Sequence, residues 1–272
     1  MEKEKCILVA ISGANDHTRF VEASLDELSK LIDTAGGEEV ARVVQRRQAP
    51  DPSTYLGKGK AREVKSLATR LGATCLVVDG PLRPAQEAAL SKLTGLRVRE
   101  RTDVILEIFA MHARSAEGKL QVKMAELQYK LGRLRGKGSE LSRLGGGMGT
   151  RGPGEQRLEE ERRRIRRQLG RVSRQLERLD KTRQANRKLR TRSGVPLVAL
   201  VGYTNVGKST LLRRLTGAEV AIEDKLFSTL DPHTGRTYLA SHRQEILVID
   251  TVGFVRELPP ELLRAFKATL DE

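Results

Sequence analysis

The eight residues Gly202, Tyr203, Thr204, Asn205, Val206, Gly207, Lys208 and Ser209 fit the pattern G-x-x-x-x-G-K-[ST], whose chemistry is the cradling of phosphates. A glycine-rich turn aims consecutive backbone N–H groups at one anion. The start of the next helix adds its positive dipole end, and a lysine supplies a full charge. In this pattern Lys208 serves the β- and γ-phosphates, Ser209 serves Mg²⁺, and Thr210 follows in the first helical turn. The elements that must hold such a loop are legible on either side. An apolar strand reads over residues 196–201 and a helix over 210–215. A nucleotide phosphate is the expected ligand.

A second set of residues belongs to the same chemistry. Residues 245–250 read as a buried strand ending in Asp250, followed by Thr251, Val252 and Gly253. A carboxylate at a strand's carboxyl end can hold the metal, usually through water. Gly253 lets a backbone N–H approach the γ-phosphate with no Cβ in the way. D-x-x-G alone is a weak signal, but about forty residues after a phosphate loop it is a strong one. Between the two motifs, Phe227, Ser228, Thr229, Leu230, Asp231 and Pro232 show no apolar periodicity, as a switch loop requires. Thr229 alone reads as an ordinary loop threonine. Flanked by these motifs it becomes the third candidate metal ligand, and with Lys208 and Gly253 it makes the catalytic set.

Upstream lie two apolar seams at helical spacing: Leu120, Met124, Leu127, Leu131 and Leu134, then Ile165, Leu169, Val172, Leu176 and Leu179. Both are read as packing. A glycine-rich stretch, Gly136 to Gly138 and then residues 145–154, separates them, and no regular element is expected to span it. The construction expected is an antiparallel two-helix hairpin with a flexible tip. Residues 151–192 carry fourteen arginines and two lysines against five glutamates and one aspartate, +10 of the chain's net +15. A charge run is ordinarily a solvated helix face. Here the excess is arginine, suited to bidentate phosphate contacts, and it adjoins a basic glycine-rich loop, which favours RNA as partner. Arg143, Arg151, Arg162, Arg163, Arg166 and Arg167 are the candidate RNA contacts. Aromatic residues make up 3% of the chain, too few for base-stacking platforms, so recognition should rest on phosphates and shape.

The first hundred residues alternate strand and helix patterns. Strands are expected at 6–11, 39–44, 74–79 and 96–99, with helices near 18–31, 60–71 and 85–93. That alternation argues for a small parallel α/β domain. Its Gly57, Lys58, Gly59 loop could meet an anion at the following helix, though such pairs are common turns. The division expected is an α/β domain at 1–113, a helical hairpin at 114–192 and a phosphate-loop domain from 193 to 272. Cys6 and Cys75 fall in predicted strands and read as buried thiols, with neither a disulfide framework nor a zinc site implied. His17, His112, His233 and His242 show no ligand spacing. The amino terminus is charged and no apolar run reaches the roughly eighteen residues of a membrane span, so a soluble, cytoplasmic protein is expected, as a monomer.

The combination G-Y-T-N-V-G-K-S-T, F-S-T-L-D-P and D-T-V-G-F resembles the HflX family, GTPases of the translation-factor-related class with Obg-like switch chemistry. The segments from Gln121 and from Gly145 resemble that family's hairpin and loop, and the resemblance covers nearly the whole chain. It implies GTP as substrate and GDP as product, Mg²⁺ as cofactor, and the large ribosomal subunit and its RNA as partner. It implies hydrolysis coupled to ribosome association, dissociation or rescue. Asn205 resembles the asparagine of potassium-activated relatives, where a carbonyl oxygen helps hold K⁺; the alternative is that it braces the loop. No N-K-x-D-like guanine-reading element occurs, and residue 272 falls inside what resembles the second helix of the G domain, so only the front half of that domain is expected. The rival reading is therefore a non-catalytic RNA- or ribosome-binding module.

Overall fold

In the amino-terminal region, short β-branched runs alternate with amphipathic stretches, and the computed structural model turns each into the expected element. It describes residues 3–13, 17–144, 153–192, 195–217, 225–227, 230, 233–258, 260 and 262, with side chains described outside 135–144, 153–155 and 182–192. Strands β1 (Glu4–Ser12), β2 (Gly37–Arg46), β3 (Cys75–Val78) and β4 (Arg97–Glu100) alternate with helices α1 (Thr18–Thr34), α2 (Lys58–Leu71) and α3 (Pro84–Thr94). The sheet is parallel throughout, in the order β2-β1-β3-β4. Crossover helices cover such sheets, so the central strands are apolar on both sides. All four residues of β3 are buried, and Ile7, Val9, Leu76, Val78 and Val98 join Val64, Ala68 and Leu90 of α2 and α3 in one core. Val21, Leu25, Leu28, Leu31 and Ile32 form the buried stripe of α1, which packs on β1 and β2.

An element absent from the sequence reading follows at once. Helix α4 (Arg101–His112) buries Val104, Ile105, Ile108 and Phe109. Apolar residues lie nearly all round it, and a short apolar run carries no periodicity that separates helix from strand.

Helices α5 (Ala116–Leu144) and α6 (Pro153–Arg192) carry the two seams. Leu127, Leu134, Ile165 and Val172 are buried, and the other seam residues are half-buried. The expectation that Gly136 to Gly138 break the helix is corrected, because α5 continues to Leu144. A helical glycine costs only about 1 kcal/mol, which strong helix formers on both sides offset. Pro153 takes the first position of α6, where its missing N–H is no loss. Residues 145–152, the rest of the expected tip, lie outside the described residues. Arg162 of α6 donates to the Leu134 carbonyl of α5 at 2.9 Å. The two residues stand at similar chain distances from the intervening segment, as an antiparallel pair requires.

The chain divides into two compact units, Met1–Ile108 with Lys130–Arg163, and Phe109–Tyr129 with Arg164–Glu272. In the second unit, β5 (Leu197–Leu200), helix α7 (Lys208–Thr216), β6 (His233–Leu239) and β7 (Gln244–Asp250) build a three-stranded sheet in the order β5-β7-β6. β5 runs parallel to β7, whereas β6 is antiparallel to it. The cause is the short turn between Leu239 and Gln244, where the His242 N–H returns to the Leu239 carbonyl at 3.1 Å. Such a connection can join only antiparallel neighbours. Among the described residues no helix is long and apolar enough to cross a membrane.

Candidate functional site

Parallel pairing of β5 with β7 sets Leu200 opposite Asp250, so both motifs leave the carboxyl end of one sheet side by side. Hydrogen bonds then tie them together. Phe254 N–H donates to the Gly202 carbonyl at 3.0 Å, Thr204 N–H to the Phe254 carbonyl at 2.8 Å, and the Thr251 hydroxyl to the Leu200 carbonyl at 2.8 Å. Gly253 is pressed on the loop so closely that a Cβ would stand 2.6 Å from Thr204 Cα and 2.7 Å from Thr204 N. Glycine is required there for the meeting of the two motifs. The Thr251 tie was missed by sequence reasoning, although a hydroxyl next to a strand-end carboxylate is the signal that marks it.

The loop bends through two left-handed residues, Asn205 at φ 59° and Gly207 at φ 92°. Gly207 caps α7, so the amino end of the helix opens on Lys208, Ser209 and Thr210 beside the loop. Tyr203 and Val206 stand exposed on the outside of the turn. Lys208 Nζ reaches back to the Tyr203 carbonyl at 2.8 Å, which places its charge over the loop with two donors left for other oxygens. Burial holds its pKa below the ordinary lysine range, against the opposing pull of Asp250.

Ser209 Oγ donates to Asp250 Oδ2 at 2.5 Å, joining two of the expected metal ligands directly. Asp250 is 0% exposed, and its Oδ1 is buried with no hydrogen-bond partner among the described residues. A buried carboxylate oxygen left unpaired costs free energy, and a cation removes that cost. The donor set is all oxygen and fits Mg²⁺. Thr229, the third expected ligand, lies outside the described residues, as do Ser228 and Asp231.

Of the switch segment, Leu226, Phe227 and Leu230 are buried. Phe227 holds φ 58°, and its ring lies 4.6 Å from that of Phe109, tilted by 47°. No local pattern announces that contact, because the partner lies more than a hundred residues away. On α6, Arg163, Arg166 and Arg167 are exposed, whereas Arg162 is half-buried between the Leu134 carbonyl and Glu159. The side chains of Arg143 and Arg151 lie outside the described residues. At the Gly57, Lys58, Gly59 loop before α2, the Gly57 N–H donates to Gln45 Oε1 at 3.0 Å.

Residues 22–110 match the family described as GTP-binding GTPase N-terminal, residues 112–190 the GTP-binding GTPase Middle Region, and residues 197–271 the 50S ribosome-binding GTPase. The chain is 49% identical over 270 residues to the GTPase HflX of Lacrimispora saccharolytica, covering 99% of this chain and 63% of that protein. It is 46% identical over 271 residues to the GTPase HflX of Caldanaerobacter subterraneus subsp. tengcongensis, covering 100% of this chain and 62% of that protein. Its fold is similar to the crystal structure of a GTP-binding protein from the hyperthermophilic archaeon Sulfolobus solfataricus in complex with GDP, with TM-score 0.50, 21% identity, and coverage of 98% of this chain and 66% of that one. The chain spans less than two thirds of the length of the curated relatives it matches. Three successive family matches and near-half identity along the whole chain place it among known sequences: it belongs to the HflX family of GTPases.

Proposed function

We propose that the chain binds GTP and GDP on Gly202 to Thr210, hydrolyses GTP with Mg²⁺, and couples the nucleotide state to binding of the large ribosomal subunit through the α5–α6 hairpin. The observation that carries this reading is the buried Asp250 with one oxygen unpaired, held beside Ser209 at the mouth of the phosphate loop. Lys208 and the first-turn N–H groups of α7 hold the β- and γ-phosphates. Ser209, Asp250 and Thr229 would hold Mg²⁺, which supplies neutralisation of charge developing on the phosphates. Thr251, Val252 and Gly253 carry the β7 end to the γ-phosphate, and Phe227, Ser228, Leu230 and Asp231 are the switch residues that would respond to the nucleotide.

Phe254 occupies the place after D-T-V-G where Ras-like enzymes keep the glutamine that orients the attacking water. A phenyl ring accepts and donates no such bond, so the free protein should turn over slowly and accelerate when a partner fixes the switch loops. Exposed Arg163, Arg166 and Arg167 supply phosphate contacts for ribosomal RNA. In this reading the functional parts are 1–113, 114–192 and 193–272, and a monomer acts in the cytoplasm. The same arginine face supports the second reading, an RNA-binding module that needs no nucleotide.

Binding of a fluorescent guanine nucleotide to this chain, with GTP and ATP as competitors, separates the two. Lys208→Ala should weaken triphosphate binding at least about a hundredfold, since it removes the fixed charge of the cradle. Unchanged affinity would remove the phosphate loop from the proposal and leave the RNA-binding reading standing.

A further inference from the structure

Cys6 and Cys75 are register partners on the adjacent parallel strands β1 and β3, so both side chains leave the same face of the sheet. Both are free thiols, 1% and 0% exposed. Glu4, two residues before Cys6, shares that face. A Glu4 carboxylate oxygen and the two sulfurs all lie within 4.8 Å of one another.

Cysteines in an apolar core need no further account. These two stand in charged company. Arg97 Nη1 is 3.4 Å from Glu4 Oε1, and Arg99 Nη1 is 3.6 Å from Glu4 Oε2. Arg99 also pairs with Glu107. Its residue is 7% exposed, and its Nε has no hydrogen-bond partner among the described residues. A buried guanidinium donor is thus left over on the strand next to Cys75, and a thiolate accepts such a bond where a neutral thiol accepts only weakly.

We propose that Cys6, Cys75 and Glu4 bind a soft divalent cation of the zinc class, with Arg99 as the neutralising charge beside them. Two thiolates and a carboxylate around a divalent ion leave one net negative charge, which one guanidinium balances. Ligand atoms on one tetrahedral zinc lie roughly 3.3–3.8 Å apart, so the three donors need to close by about 1 Å, within reach of side-chain rotation. A carboxylate offers about four lone-pair sites, so Glu4 can keep an arginine and still give one to the ion. Its side chain is 33% exposed, which opens the fourth position to water. Each thiol that ligates releases its proton to solvent on binding.

The test is titration of the reduced 272-residue chain with Cd²⁺, followed by the ultraviolet cadmium–thiolate charge-transfer band, with Zn²⁺ as competitor. One equivalent should saturate the band, and Zn²⁺, which thiolates hold less tightly than Cd²⁺, should erase it only in large excess and should slow further the alkylation that local opening of the sheet allows at both cysteines. Cys6→Ser and Cys75→Ser should each remove the band and weaken binding at least about a hundredfold, and Glu4→Gln about tenfold. Should the serine variants fail to fold, Glu4→Gln affinity and zinc protection of the wild-type thiols decide the matter on intact chains. Absence of the band on the reduced wild type overturns the proposal. So does a band that survives Cys75→Ser, or metal uptake that leaves alkylation unchanged.

Discussion

Two aspartates stand at the carboxyl ends of interior strands in the two sheets, and they are treated in opposite ways. Asp79 directly follows β3, and its Oδ1 accepts from Arg101 Nε at 2.8 Å. Arg101, 3% exposed, also meets Glu27 at 2.6 Å and the Ser24 carbonyl and hydroxyl at 2.8 and 2.9 Å. Asp250 ends β7, is more deeply buried, and has only a serine hydroxyl on Oδ2, with Oδ1 unpaired among the described residues. Both carboxylates sit where open α/β sheets present ligands. One is closed by an internal cation and serves the fold. The other keeps an open valence, and that difference supports the metal role proposed for it.

The contrast predicts opposite outcomes for the two charges. Arg101→Met strands Asp79 and Glu27 in a buried setting and should cost about 3–5 kcal/mol, read as the shift in the urea unfolding midpoint, with guanine-nucleotide affinity unchanged wherever the chain is folded. A loss below about 1 kcal/mol would mean that the network is hydrated and dispensable. Asp250→Asn should do the reverse, leaving stability equal or slightly higher while lowering Mg²⁺-dependent turnover at least about a hundredfold, some 3 kcal/mol. If the asparagine variant instead unfolds with its metal dependence intact, Asp250 belongs with Asp79 as a structural group.

Gly253→Ala tests the tie between the motifs rather than the charge. The added methyl must push Thr204 away from a contact of 2.6 Å, at a cost of about 1–3 kcal/mol, and should weaken di- and triphosphate alike because the whole loop shifts. Loss confined to the triphosphate would return Gly253 to a role at the γ-phosphate alone.

The legibility of the sheets follows the same divide. Strands such as Cys75–Val78 are read correctly because burial on both faces leaves nothing but apolar residues to write. The turn between β5 and α7 is legible because a left-handed residue at the head of the helix calls for Gly207. What escapes is relational. The antiparallel course of β6 depends on the turn after Leu239, and α4 buries too many sides to show a period. The meeting of Phe109 with Phe227, and of Cys6 with Cys75, depends on strands and loops far apart in the chain. Arg162 illustrates the limit on single residues. It shares its residue type with Arg163, Arg166 and Arg167, and it shares Glu159 with Arg163, yet it alone of the four is half-buried and donates to the Leu134 carbonyl.

That distinction sharpens the RNA prediction. Replacing Arg163, Arg166 and Arg167 with alanine should reduce the salt slope of ribosome or structured-RNA binding by about two, given roughly 0.7–0.9 per phosphate neutralised. Arg162→Ala should move helix stability and leave the slope alone. Equal slopes for wild type and the triple variant would make this face solvated helix and nothing more.

The smallest expected effect concerns Asn205, where backbone and side chain make separable demands. At φ 59° the residue sits in the left-handed region that asparagine tolerates and alanine resists by roughly 1–2 kcal/mol. An alanine variant therefore confounds loop strain with loss of the side-chain carbonyl. Asn205→Gly keeps the backbone conformation at little cost and removes only the side chain. If that carbonyl holds a monovalent cation beside the β- and γ-phosphates, wild-type turnover should be several-fold faster in K⁺ than in Na⁺ at matched ionic strength, and Asn205→Gly should bring the two rates together. If the side chain only braces the turn, the glycine variant should lower nucleotide affinity modestly and equally in both salts. A wild type indifferent to the cation rejects the K⁺ role outright.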